Sequence, residues 1–143
     1  MSYPRSPSDK VGGIVYFGRM VDKIRLQAAG TLHPDLQANL GISFDKRCVD
    51  FFGVSYEELA KKAGEGLDDE AILEWGFTAG RRPDEEEILI WNEFMRKRGW
   101  KDEATEVLLR RKKESGFADR EEIQTMFDYI DADEGRPVRR GMA

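Results

Sequence analysis

Capping residues, short acidic runs and closing glycines recur along this chain and divide it into helices of ordinary length. In Val54-Ser55-Tyr56-Glu57-Glu58-Leu59, Ser55 and Glu58 are spaced as a capping box and Val54 can staple onto Leu59. Asp68 or Asp69 opens a helix through Ile72, Leu73, Trp75 and Phe77 to Gly80, and Asp84-Glu85-Glu86-Glu87-Ile88 opens one to about Arg98, with Gly99 after it. Asp102 to Ser115 is closed by Gly116, and Asp119-Arg120-Glu121-Glu122-Ile123 opens a helix to about Ile130. A side-chain oxygen at the start satisfies a backbone N–H that the helix leaves open, and glycine tolerates the left-handed conformation that ends one. No stretch of strand length alternates apolar and polar residues, so the chain is predicted to be all-α. The helix interiors do not match one another, which excludes an internal repeat.

Ser6-Pro7-Ser8-Asp9 reads as another N-terminus, and Ile14, Phe17, Val21, Ile24 and Ala28 recur at helical spacing up to Gly30, predicting a first helix of about 7–29. Gly12, Gly13 and Gly18 weaken that helix and point to close backbone packing or a local break. Residues 30–44 form a connector, followed by a short helix from about Asp45 to Phe52 ended by Gly53. The expected architecture is a compact single-domain array of about six helices over residues 1–135, with Trp75, Phe77, Trp91, Phe94, Met126 and Phe127 in its core.

With 143 residues the chain is long enough for one ordinary core. The last eight residues, 136–143, hold three arginines and no acid and are expected to form a basic, flexible tail. The rest carries 20 basic and 28 acidic residues, 20 − 28 = −8, a balance that argues against nucleic acid as a partner. One cysteine and one histidine exclude an internal disulfide and a zinc site, and no cofactor is implied. Neither a signal-like N-terminus nor an apolar run of membrane length is present, so a cytoplasmic protein without membrane contact is expected.

Several short motifs lack the residues their chemistry needs. Gly13 to Gly18 has phosphate-loop spacing, yet Arg19 and Met20 stand where lysine and a magnesium-binding hydroxyl belong. His33-Pro34-Asp35 resembles the tripeptide of J-domains but lacks a good following helix, and reads instead as a turn. Asp131-Ala132-Asp133-Glu134-Gly135 starts like a calcium loop without completing one. Cys48 reads as a buried apolar residue.

Charges inside apolar surroundings are more informative. On the first helix Arg19, Asp22 and Arg25 share a slanting stripe, opposite a sector holding Tyr16 and Lys23 that is expected to face solvent. One carboxylate between two guanidinium groups leaves net positive charge, as a small-anion site requires, with Asp22 as the candidate acid or base. Arg81 and Arg82 arrive at the N-terminus of the helix starting near Glu85, where open N–H groups favour anions. Asn92 falls on the apolar face of that helix, where its amide must hold either a ligand or a neighbouring backbone. Asp45-Lys46-Arg47 adds an acid beside two bases, and Arg110-Arg111-Lys112-Lys113 reads as a solvated helix end.

The stretches Val11–Leu26, Gly80–Ile88, Trp91–Trp100 and Asp128–Gly135 together resemble a bacterial domain-of-unknown-function family, number 5069, over nearly the whole chain. The resemblance implies no activity, cofactor or catalytic residue. It does imply histidine in many relatives where Gln27 stands here, so histidine chemistry at that position is not expected of this chain. Two functions remain open: a noncatalytic interaction or regulatory module presenting helix faces and a basic tail to a protein partner, or a binding protein or enzyme for a small anionic metabolite using Arg19, Arg25, Arg81, Arg82 and Asn92.

Overall fold

The first helix begins ten residues later than its periodicity predicts, because the glycines before it turn the chain. Lys10–Val11 (β1) pairs antiparallel with Ile14–Val15 (β2), Val11 facing Ile14 across a turn whose central residues, Gly12 and Gly13, sit at φ 57° and 79°. Two consecutive positive φ values define the tight hairpin turn whose twist suits the flanking strands, and glycine reaches them without a Cβ clash. The computed structural model describes residues 1–139, and among them the chain is mostly helical, with eight helices besides this hairpin.

Helix α1 (Phe17–Ala28) is the central element, with Phe17, Gly18, Arg19, Met20, Val21, Lys23 and Ile24 all buried. A helix buried almost all round must carry its charges inward, which sets up the site below. Its N-terminal glycine has a specific use: a Cβ on Gly18 would lie 2.8 Å from the Arg5 guanidinium that packs across it. The chain before α1 is strapped to its far end, Ser2 exchanging backbone hydrogen bonds with Thr31 and His33 at 2.7 and 2.9 Å.

A single helical turn, α2 (Pro34–Gln37), follows, with proline in its first turn and the His33 ring accepting from the Asp35 N–H. Helices α3 (Phe44–Phe52), α4 (Tyr56–Ala63), α5 (Asp69–Ala79) and α6 (Glu85–Lys97) lie close to their expected bounds. Ser55, Asp68 and Asp84 accept from the N–H of Glu58, Ala71 and Glu87, and Glu87 returns the bond to Asp84. Helix α7 (Thr105–Glu114) starts after a loop in which Asp102 takes the N–H of Gly99 and Ala104.

Helix α8 (Met126–Asp133) starts at a capping box of Thr125 and Asp128, not at Asp119. The acidic run from Asp119 instead lies in turns: Lys112, expected in solvent, is buried and its ammonium donates to the carbonyls of Arg120 and Ile123 at 2.9 Å, holding that segment against α7. Backbone carbonyls satisfied in this way need no helix.

The main core gathers the hairpin, α1, α3, α4, α5 and α6 around Phe17, Met20, Phe52, Leu59, Ile72 and Trp91, and a smaller cluster joins Leu108, Ile123, Met126 and Tyr129, with Phe44 packed against both. Each fully buried side chain of this size contributes roughly 1.5–3 kcal/mol. Of the expected core residues, Trp91, Met126 and Phe127 are buried and Trp75 and Phe77 are partly so, whereas Phe94 is 43% exposed. Helix α6 turns Trp91 and Met95 inward, which directs Phe94 to the surface. Of the expected tail, Arg136 and Arg139 pair with Asp131 and Asp9 at 3.0 and 2.7 Å; residues 140–143 lie outside those described.

Candidate functional site

The residues of the sequence-predicted anion site do not converge. Asp22, the candidate acid or base, accepts the backbone N–H of Arg5 at 3.0 Å and its guanidinium through both oxygens at 2.8 Å. Arg25 turns to Asp69 at 2.7 Å and to the carbonyl of Leu67, and Arg5 also reaches Asp69 at 2.8 Å, so two arginines and two aspartates close a mutual network. Burial opposes the Asp69 charge, yet the hydrogen bonds from Arg5 and Arg25 prevail and hold its carboxyl below the usual range.

Arg81 pairs with Glu87 and donates to the carbonyl of Phe51 at 2.9 Å, while Arg82 pairs with Glu74 and lies 4.4 Å from the Phe77 ring centroid. Asn92 accepts from the Val15 N–H at 3.0 Å and donates to the carbonyl of Gly13 at 2.8 Å, tying the hairpin to α6. Its amide therefore meets the alternative seen in the sequence, a neighbouring backbone. Stripe geometry on one helix places these charges but does not say which carboxylate will face them across the fold.

Arg19 turns elsewhere, under a groove of about 590 Å³ between α1, the segment from α2 into α3, α7 and α8. Its guanidinium grips Glu134 through two hydrogen bonds, the longer 2.8 Å, and Arg136 joins Glu134 at 2.8 Å and Asp131 at 3.0 Å. Burial works against the Arg19 charge, but the hydrogen bond to Glu134 and the charges of Glu134 and Asp45 together outweigh it and its pKa rises. Beside it, Tyr16 and Lys23, expected in solvent, are 3% and 4% exposed. The Lys23 ammonium donates to both oxygens of Asp45, the Tyr16 hydroxyl donates to one of them at 2.6 Å, and the Gly41 N–H donates to the other at 2.9 Å. Desolvation lowers the Lys23 pKa, with Asp45 opposing it, and burial pushes the Tyr16 hydroxyl well up.

Two lining residues hold unusual backbone. Tyr16 sits at φ 74° in the left-handed region, and Ser43 at φ 54°, ψ −121°, a combination that favours glycine. Such conformations cost about 1–3 kcal/mol and persist where the surrounding structure enforces them. Arg47, Arg98 and Arg111 line the groove together with the carboxylates of Asp35, Glu103, Glu114 and Asp133, and Leu36, Ile42, Val107 and Ile130 supply apolar wall. Arg47 and Arg98 lie 4.9 and 5.6 Å from the centroid of the Phe94 ring, and the Arg47 pKa is lowered by burial and then by the Arg98 charge. Among the described residues Arg47 and Arg111 have no carboxylate at ion-pair distance, whereas Arg98 has Asp102 and Glu103 at 3.5 and 3.4 Å.

Sequence reasoning assigned Tyr16 and Arg111 to solvent and passed over Ser43. Arg47 left a trace, as a base beside the Asp45 that anchors the floor. Cys48 is fully buried as expected, its thiol pushed up by burial and by Asp45. Among the described residues no three His, Cys, Asp or Glu side chains group as metal ligands, and no helix is long and apolar enough to cross a membrane.

The fold and groove define a mostly helical protein with a hairpin packed across α6 and a cleft floored by buried ion pairs. The chain belongs to the family described as a domain of unknown function, DUF5069, whose model matches residues 1–136. No curated protein matches the chain.

Proposed function

We propose that the protein binds a small anionic molecule, carrying a carboxylate or phosphate, in the groove between α1, α3, α7 and α8. The observation that carries this reading is the contrast among arginines: Arg19, Arg25, Arg81 and Arg82 are engaged by carboxylates, while Arg47 and Arg111 line the groove without one. Arg47 lies beside Arg98 over the Phe94 ring, and an anion bound between them relieves the repulsion of the two charges. The groove's volume lies in the range of small-molecule sites, roughly 300–1,000 Å³. Enforced backbone at Tyr16 and Ser43 supports the same place.

The reading is of binding, not turnover, because Lys23, Asp45, Arg19 and Glu134 are each committed to an ion pair. It keeps the sequence expectation of a bacterial cytoplasmic protein, a compartment that suits a single free thiol. Thermal unfolding against a panel of phosphorylated and carboxylated metabolites tests it, since a ligand that prefers the folded state raises Tm. The expected result is a rise that Arg47→Ala and Arg111→Ala abolish and Lys113→Ala keeps. A panel without any rise, or one that Arg47→Ala leaves intact, overturns it.

A second reading, a noncatalytic module for a protein partner, is favoured by one surface. Leu89, Ile90, Phe94 and Trp100 are 43–59% exposed and line one shallow depression together.

A further inference from the structure

We infer that the exposed face of α6 is the two-fold interface of a homodimer, in which two copies of this helix pack antiparallel. The inference stands apart from the groove. Among the described residues, four of the eight exposed large hydrophobic side chains, Leu89, Ile90, Phe94 and Trp100, fall on or just after α6. Trp91 and Met95 of the same helix are buried, so Leu89 and Ile90 face outward, and Phe94 is covered in part by Arg47 and Arg98. Apolar residues gathered in this way mark an association surface.

The charges along the helix say what covers that surface. Its first turn carries Glu85 and Glu86, both exposed and without an ion-pair partner among the described residues, and its end carries Lys97, which has only Glu93 of its own helix at 3.8 Å. A surface acidic at one end and basic at the other, with Leu89, Ile90 and Phe94 between, complements a copy of itself turned end for end. A parallel copy would set like charges together.

With the two-fold level with Trp91 and Asn92, Glu86 meets Lys97 of the partner subunit, while Leu89 and Phe94, on opposite flanks of that seam, each lie beside the same flank of the partner. Symmetry repeats the charge contact, as an isologous interface requires. The spacing of Glu86, Ile90, Glu93 and Lys97 keeps all four on one stripe of the helix. Because Arg98 and Glu103 line both this face and the groove mouth, the two sites adjoin.

Sedimentation velocity of the full chain across the micromolar range tests the inference. The wild type is expected to sediment as a dimer, and Ile90→Asp as a monomer with unchanged circular dichroism, since Ile90 is 59% exposed and supports no internal packing. Glu86→Lys and Lys97→Glu each place like charges at both ends and weaken the dimer by about fivefold or more, while the double swap restores it to within about twofold. A monomer at every concentration overturns the inference and leaves the face to a different protein. A dimer that survives Ile90→Asp overturns it as well, and a charge swap that fails to restore association overturns the antiparallel register.

Discussion

Lys23 donates to both carboxylate oxygens of Asp45, at 3.1 and 3.0 Å, and neither side chain is more than 4% exposed. The pair joins α1 to the head of α3 and so fixes the floor of the groove. Removing one member leaves the other buried without a counter-charge, which typically costs 3–5 kcal/mol, whereas neutralising both costs far less. Asp45→Asn is therefore expected to lose about 3 kcal/mol in urea denaturation. The double variant Lys23→Met, Asp45→Asn should recover more than half of that loss, since the Asn carbonyl still accepts from Tyr16.

Acid should unfold the protein in part through Asp69. Its carboxyl is held below its ordinary value of 3.8 by the hydrogen bonds from Arg5 and Arg25, which overcome the effect of burial. A depressed carboxylate pKa contributes stability that is fully present above 3.8 and is lost as the pH falls through the lower folded value. Asp69→Asn is expected to be less stable by about 1–2 kcal/mol at neutral pH and to lose less than the wild type between pH 5 and about pH 2. Equilibrium unfolding as a function of pH measures both.

Where sequence and structure agree, the information is local. Ser55, Asp68 and Asp84 cap helices through bonds to residues three positions on, so α4, α5 and α6 are legible in a short window. Thr125 and Asp128 are spaced in the same way, but the acidic run at Asp119 competes with them, and only the buried Lys112 ammonium decides against it. The hairpin was legible in principle, since Gly12-Gly13 between Val11 and Ile14 is a turn signal that helical periodicity in the flanking residues obscured. The groove was not. Periodicity assigned Tyr16 and Lys23 to solvent because α1 alone does not reveal that the chain returns over them with Asp45, and Glu134 meets Arg19 from 115 residues away.

Two glycines separate packing from conformation. At Gly76, inside α5, an added Cβ meets nothing within 4 Å, so Gly76→Ala should stabilise the protein by about 0.5–1 kcal/mol through the restricted unfolded chain. At Gly80, a Cβ would fall 1.9 Å from the carbonyl oxygen of Phe52, an atom already held by the Arg81 N–H. Gly80→Ala should lower Tm markedly. Thermal unfolding of the two variants side by side is the check.

Ser43 lines the groove with backbone suited to glycine, and its side chain makes no capping bond to α3. Ser43→Gly is expected to raise stability by about 1 kcal/mol in chemical denaturation, the relief of the strained conformation exceeding glycine's greater entropy loss. An unchanged or lower stability would mean that the backbone there is not strained.

The groove as an anion site is tested most directly by titrating the isotope-labelled protein with inorganic phosphate and citrate while following backbone amide resonances. Saturable shifts are expected at Ser43, Arg47 and Arg111, absent from Arg47→Ala, with the Arg81 and Arg82 amides unmoved. Shifts confined to Arg81 and Arg82 at the head of α6, or none in the groove at saturating anion, would contradict the account.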